Sequence, residues 1–171
     1  MTPYHQDQIE AILFEMDCEL WEAEKAYEQF NHNAAKAITH LLKTPVFLST
    51  QGNVDKLPKA GMGYFIKSLD TDLEAVPRRA AFIPMEDFDS YLLEDFQAVF
   101  PLYQPQWNEV TTYFDSTSSN IFTPEVCKKI IIQLRQRTFP DESVKTFIEK
   151  VIAHIENKLP TCTYIEVYGN I

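Results

Sequence analysis

Three carboxylates in one short run, Glu86, Asp87 and Asp89, come closest to a catalytic spacing. Two neighbouring acids can serve as general acid and base, or can hold a divalent cation. The run Glu86-Asp87-Phe88-Asp89 lacks the alternating oxygen ligands and the glycine of a calcium loop, so it reads as a solvated cluster. No H-E-x-x-H, C-x-x-C or H-x-E pattern places the histidines His5, His32, His40 and His154 near metal ligands. His32 and His40 read as surface or helix-end residues. Cys127 lies near a helix start, where the dipole lowers a thiol pKa, yet it falls on the apolar stripe and reads as a buried structural thiol. Ser116, Ser118 and Ser119 sit in no G-x-S-x-G setting and read as turn formers. The chain is not expected to be an enzyme, and no catalytic residue, metal ligand, cofactor or small-molecule substrate is expected.

Those carboxylates fit an electrostatic role better. The chain carries a formal net charge of −10, and the charge is local. Met1 to Phe30 holds Asp7, Glu10, Glu15, Asp17, Glu19, Glu22, Glu24 and Glu28 against Lys25 alone. Thr71 to Phe100 holds Asp72, Glu74, Glu86, Asp87, Asp89, Glu94 and Asp95 against Arg78 and Arg79. Ile121 to Ile171 is nearly balanced. Strongly negative surfaces repel nucleic acid and anionic membranes and speed encounter with a basic partner. Glu86, Asp87, Asp89, Glu94 and Asp95 are therefore the expected acidic contacts. Rim charges contribute little affinity by themselves, so apolar anchors are needed. Phe88, Tyr91, Tyr103 and Trp107 flank the acids and are the expected anchors.

The elements that must position these residues are readable from periodicity. Gln6 to Phe30 is helical, with apolar residues at i, i+3, i+4 and i+7, broken into two helices at Asp17-Cys18. Asn33 is placed to cap a third helix over Ala34 to Lys43, closed by Pro45. Val46 to Ser49, Tyr64 to Leu69 and Ala80 to Ile83 read as strands, with turns or loops at Gln51-Gly52-Asn53 and over Lys59 to Gly63. Phe88 to Phe100 reads as a helix with its acids outward, and Pro101 and Pro105 bracket a rigid connector. Glu109 to Phe114 reads as a strand, and Asp115 to Asn120 as a polar turn. Thr123-Pro124-Glu125 starts a helix with an N-cap hydroxyl, proline at N1 and an acid in the positive first turn. Its buried face is Cys127, Ile130, Ile131 and Leu134. Asp141 caps a last helix with the stripe Val144, Phe147, Ile148, Val151, Ile152 and Ile155, stopped by Pro160. Thr161 to Tyr168 is the final strand.

The expected fold class is α+β: a helical N-terminal section over 6–43, then a mixed α/β body over 46–171 ending strand-helix-helix-strand, all in a single domain over 1–171. A chain of 171 residues with 45% hydrophobic content can fill a core without metal or disulfide. Cys18, Cys127 and Cys162, odd in number and far apart, read as reduced thiols. The polar start MTPYHQDQIE has no secretory h-region, and no apolar run reaches the length of a membrane span, so a cytoplasmic location is expected.

Two family resemblances add to this reading. The segments IEAILFEMDC, AEKAYEQFNHN and AAKAITHLL, within Gln6 to Leu42, resemble the three-helix ubiquitin-associated (UBA) fold and the N-terminal module of elongation factor Ts. In the ubiquitin-binding family the loop is usually Met-Gly-aromatic; here it is Met16-Asp17-Cys18, so Met16, Leu41 and Leu42 are what carries over. This resemblance implies an adaptor for ubiquitin or a translation factor. Over Tyr113 to Ile171, YFDSTSSNIF, the helix start TPE, a Phe-led second helix and the closing YIEVYGN resemble small immunity proteins of bacterial toxin systems, of the contact-dependent growth inhibition type. That resemblance implies a protein that neutralises a cognate toxin domain, often a nuclease, by occluding its active cleft. The first expectation is therefore an immunity protein, and the second is the adaptor.

Overall fold

The computed structural model describes residues 3–16, 18–51 and 61–171. It has two compact units, Met1–Val46 with Pro77–Ala80, and Phe47–Val76 with Ala81–Ile171. The expected α+β class, with a helical N-terminus, is what forms.

The first unit packs helices α1 (Pro3–Glu15), α2 (Leu20–Gln29) and α3 (Ala34–Lys43). The apolar spacing along each helix brings Ile9, Ile12, Met16, Ala23, Ala26, Tyr27, Ala37 and Leu41 into one core. Asn33 caps α3, its side-chain oxygen accepting the Lys36 N–H at 3.0 Å. The expected break between α1 and α2 falls on Asp17, outside the described residues, and on Cys18, which lies between the two helices. Arg79 is buried in this unit, 3% exposed. It forks onto Glu22 at 2.8 and 3.3 Å and donates Nε–H to the Thr44 carbonyl at 2.8 Å.

The second unit is built on a mixed sheet of order β1-β3-β2-β7-β6: β1 (Val46–Phe47), β2 (Gly63–Leu69), β3 (Ala81–Pro84), β6 (Ser119–Phe122) and β7 (Tyr164–Asn170). Strand β2 runs antiparallel to both β3 and β7, and β6 runs antiparallel to β7. Helices α4 (Met85–Tyr91) and α5 (Leu93–Gln97) follow β3, and a separate hairpin joins β4 (Leu102–Gln104) to β5 (Glu109–Thr111). Helices α6 (Pro124–Gln136) and α7 (Glu142–Lys158) lie between β6 and β7. Thr123 and Asp141 cap α6 and α7 as expected, and every residue of both expected apolar stripes is buried. The turn Gln51-Gly52-Asn53 lies mostly outside the described residues, as does the start of the loop over Lys59 to Gly63.

Several expected elements differ. The final strand expected over Thr161 to Tyr168 runs over Tyr164–Asn170, after a 3-10 turn at Leu159–Thr161, and the strand expected over Val46 to Ser49 forms only over Val46–Phe47. The helix expected over Phe88 to Phe100 is two short helices that bend at buried Leu92, and it ends at Gln97. The bend lets Phe88 and Phe96 enter one aromatic core, their ring centroids 5.2 Å apart, with Phe114 beside both. Only Glu109–Thr111 of the expected Glu109 to Phe114 strand forms, because buried Phe114 leaves the hairpin to fill that core. The connector expected after Pro101 contains β4. Ser119 and Asn120, expected in a turn, belong to β6. The Asn120 amide makes this possible by satisfying the loop: Oδ1 accepts the Asp115 N–H at 2.8 Å, and Nδ2 donates to the Asp115 carbonyl at 2.7 Å.

Glycine is required where β7 passes under that loop. A Cβ at Gly169 would sit 1.7 Å from the Ser116 carbonyl oxygen. No described helix is long and apolar enough to cross a membrane.

Candidate functional site

The acids of α4 and α5 do not form one surface. Glu86 and Glu94 are exposed. Asp87 is 8% exposed and turned inward, where it accepts the Thr50 N–H at 3.0 Å and the Thr50 hydroxyl at 2.7 Å. Asp89 accepts the Tyr64 hydroxyl at 2.9 Å. Burial, then that bond, hold the Tyr64 phenol protonated well above its ordinary range. Asp95 is 6% exposed and ion-paired with Arg137, which also donates to the Tyr91 carbonyl at 3.0 Å. Burial raises the Asp95 carboxyl, and Arg137 pulls it partly back. The expectation that all these acids face outward is thus corrected for Asp87 and Asp95. Buried carboxylates need partners, and Thr50 and Arg137 supply them. Because Asp87 and Asp89 are turned to different internal donors, the run Glu86-Asp87-Phe88-Asp89 does not converge on a common point.

The expected apolar anchors divide. Phe88 is fully buried, stacked 4.0 Å from Tyr64, and is a core residue rather than a surface anchor. Tyr91 is half-buried with its ring edge toward Phe147. Tyr103 and Trp107 are exposed, at 55% and 43%, and both stand on the β4–β5 hairpin.

The geometry of that hairpin explains the exposure. Pairing of Tyr103 with Val110 puts both side chains on one face, since directly opposed residues share a side of the ladder. That face is open: Val110 is 63% exposed. The opposite face carries Gln104, 1% exposed, whose amide reads the edge of β6. Its Oε1 accepts the Ile121 N–H at 2.8 Å and its Nε2 donates to the Ile121 carbonyl at 3.1 Å. Gln106 adds an Nε2–H bond to the Ser119 carbonyl at 3.1 Å. The turn is closed by Asn108 at a positive φ of 52°, a conformation asparagine tolerates well. The Asn108 side chain accepts the Tyr103 hydroxyl at 2.6 Å.

Beside the hairpin lies a shallow groove of about 290 Å³, lined by Trp107, Glu109, Thr111, Tyr113, Asp115 and Asn120. Tyr113 is 60% exposed. Exposed large apolar side chains thus stand on two sides of the hairpin: Tyr103 and Val110 on the face opposite Gln104, and Trp107 and Tyr113 in the groove with the carboxylates Glu109 and Asp115. Solvent-facing aromatics beside a polar rim are the composition of protein-binding surfaces. Glu109, Val110 and Tyr113 were read only as part of a strand, and Asp115 only as the start of a polar turn, so none was among the expected contacts. The signal that finds them is the pairing partner, Leu102–Gln104, hidden between two prolines.

In the helical unit, Met16 and Leu41 are buried in the core, so of the residues carried by the ubiquitin-associated resemblance only Leu42 is partly accessible. His32 is exposed, as expected of a surface residue, with its ring centroid 4.7 Å from that of His5 and 5.1 Å from that of Tyr27. Cys127 is buried, and burial pushes its thiol up to about 12, as expected of a structural cysteine. Among the described residues no group of three His, Cys, Asp or Glu is arranged to hold a metal ion. Comparison with protein families, curated proteins and solved structures finds no match to this chain.

Proposed function

We propose that this protein is an immunity protein that binds and neutralises a cognate, basic toxin domain of the nuclease type by covering its active cleft. The observation that carries this reading is the hairpin region: Tyr103 and Val110 exposed on one face, and Trp107 and Tyr113 exposed in a groove with Glu109 and Asp115, in a chain of net charge −10. Aromatic anchors supply affinity, and the negative field supplies encounter rate and partner choice. A nuclease cleft shaped for phosphates offers the complementary positive surface. Inhibition by occlusion needs no turnover, and it takes place in the cytoplasm of the cell that makes the toxin. The adaptor reading stands behind this one, because two of its three expected contact residues, Met16 and Leu41, lie in a core.

The test is co-expression with the protein encoded beside it. Wild type should restore growth to cells making a toxic neighbour, and Trp107→Ala with Val110→Asp should abolish rescue while the fold persists. Rescue that survives both substitutions removes the hairpin from the interface; a harmless neighbour that does not bind removes the immunity reading.

A further inference from the structure

We propose that the groove formed by Trp107, Glu109, Tyr113 and Asp115 beside the hairpin is a receptor for one arginine side chain of the partner protein, an inference that rests on the basic-partner reading above. The groove combines two features that a guanidinium uses together: aromatic side chains to stack on and carboxylates to pair with. Glu109 is exposed and has no ion-pair partner among the described residues. Asp115 commits Oδ1 to the Thr117 N–H at 2.9 Å and the Thr117 hydroxyl at 2.8 Å, and no bond to its Oδ2 falls among the described residues. Trp107 and Tyr113 stand exposed in the same lining, and among the described residues no cation lies over either ring.

The site is held in place before any ligand arrives. Asn120, 2% exposed, forms part of the lining and ties it to β7 through Nδ2 and the Val167 carbonyl at 3.3 Å. Gln104 fixes the hairpin wall to Ile121. The walls that carry the exposed side chains are thus ordered in advance. Arginine is favoured over lysine because its planar group stacks and forks at once, whereas an ammonium acts as a point charge.

The experiment uses the full chain and two blocked tripeptides, acetyl-Gly-Arg-Gly-amide and its citrulline counterpart, which keeps the shape and removes the charge. Amide and indole NMR signals are followed at millimolar peptide. The arginine peptide should shift Trp107, Thr111 and Tyr113, and the citrulline peptide should not. Glu109→Gln should weaken the arginine peptide roughly three- to tenfold, while Glu149→Gln on α7 leaves it unchanged. Equal shifts with citrulline, or no shifts at these residues, overturn the proposal. Such a failure leaves the toxin reading intact if Trp107→Ala with Val110→Asp still abolishes rescue.

Discussion

Gln104 and Ile121 are joined by a side chain that imitates a strand: the Gln104 amide accepts from the Ile121 N–H and donates to its carbonyl, at 2.8 and 3.1 Å. This closes the outer edge of β6, which would otherwise offer open backbone groups for another chain to pair with. It also fixes the hairpin whose other face presents Tyr103 and Val110. Replacing Gln104 by leucine should cost about 2 kcal/mol or more, since two buried backbone groups lose their partners. Hydrogen exchange at Ile121 and across the hairpin should accelerate together. Unchanged protection there would show that the hairpin is held by something else.

Gly169 permits a close backbone approach between β7 and the 115–118 turn. Alanine there would place its methyl 1.7 Å from the Ser116 oxygen and 2.6 Å from its carbonyl carbon. The 115–118 turn would have to move, taking with it the Gly169 N–H bond to Ser118. Gly169→Ala should destabilise by about 2–4 kcal/mol. A loss under about 0.5 kcal/mol in denaturant unfolding would mean the turn yields freely.

Arg79 and Glu22 are 57 positions apart and form a two-pronged pair in the helical unit. Arg79→Met removes the partner of a largely buried carboxylate and of the Thr44 carbonyl, and should cost about 3 kcal/mol. Arg79→Lys should recover only part of the loss, because an ammonium cannot fork. Thermal melts of the variants together with Glu22→Gln close a double-mutant cycle. Additive effects would show that the pair is not coupled.

Asp95 gives a pH dependence with a definite sign. Burial raises its folded value above the ordinary 3.8, outweighing Arg137. The folded chain therefore holds this proton more tightly than the unfolded chain does. Its contribution to stability is full below about pH 3.8 and is lost as the pH rises through the raised folded value. Relative to Asp95→Asn, wild type should lose stability from pH 3 to 7. A stability difference that stays flat over that range would contradict this assignment.

Local signals in the sequence determined α1, α2, α3, α6 and α7, their caps at Asn33, Thr123 and Asp141, and the buried stripes along them. A helix states its buried face and its start within a few turns of itself, so no distant residue is needed to read it. The sequence also determined the acidity. Tertiary structure decided which acids and aromatics face solvent. Asp87, Asp95 and Phe88 turn inward because Thr50, Arg137 and Tyr64, remote in sequence, give them partners or packing. Tyr103 and Val110 turn outward because Gln104 finds Ile121 and sets the face of a hairpin whose first strand lies between two prolines. Strand pairing and buried ion pairs join residues far apart in the chain, and composition and periodicity carry no record of which ones meet.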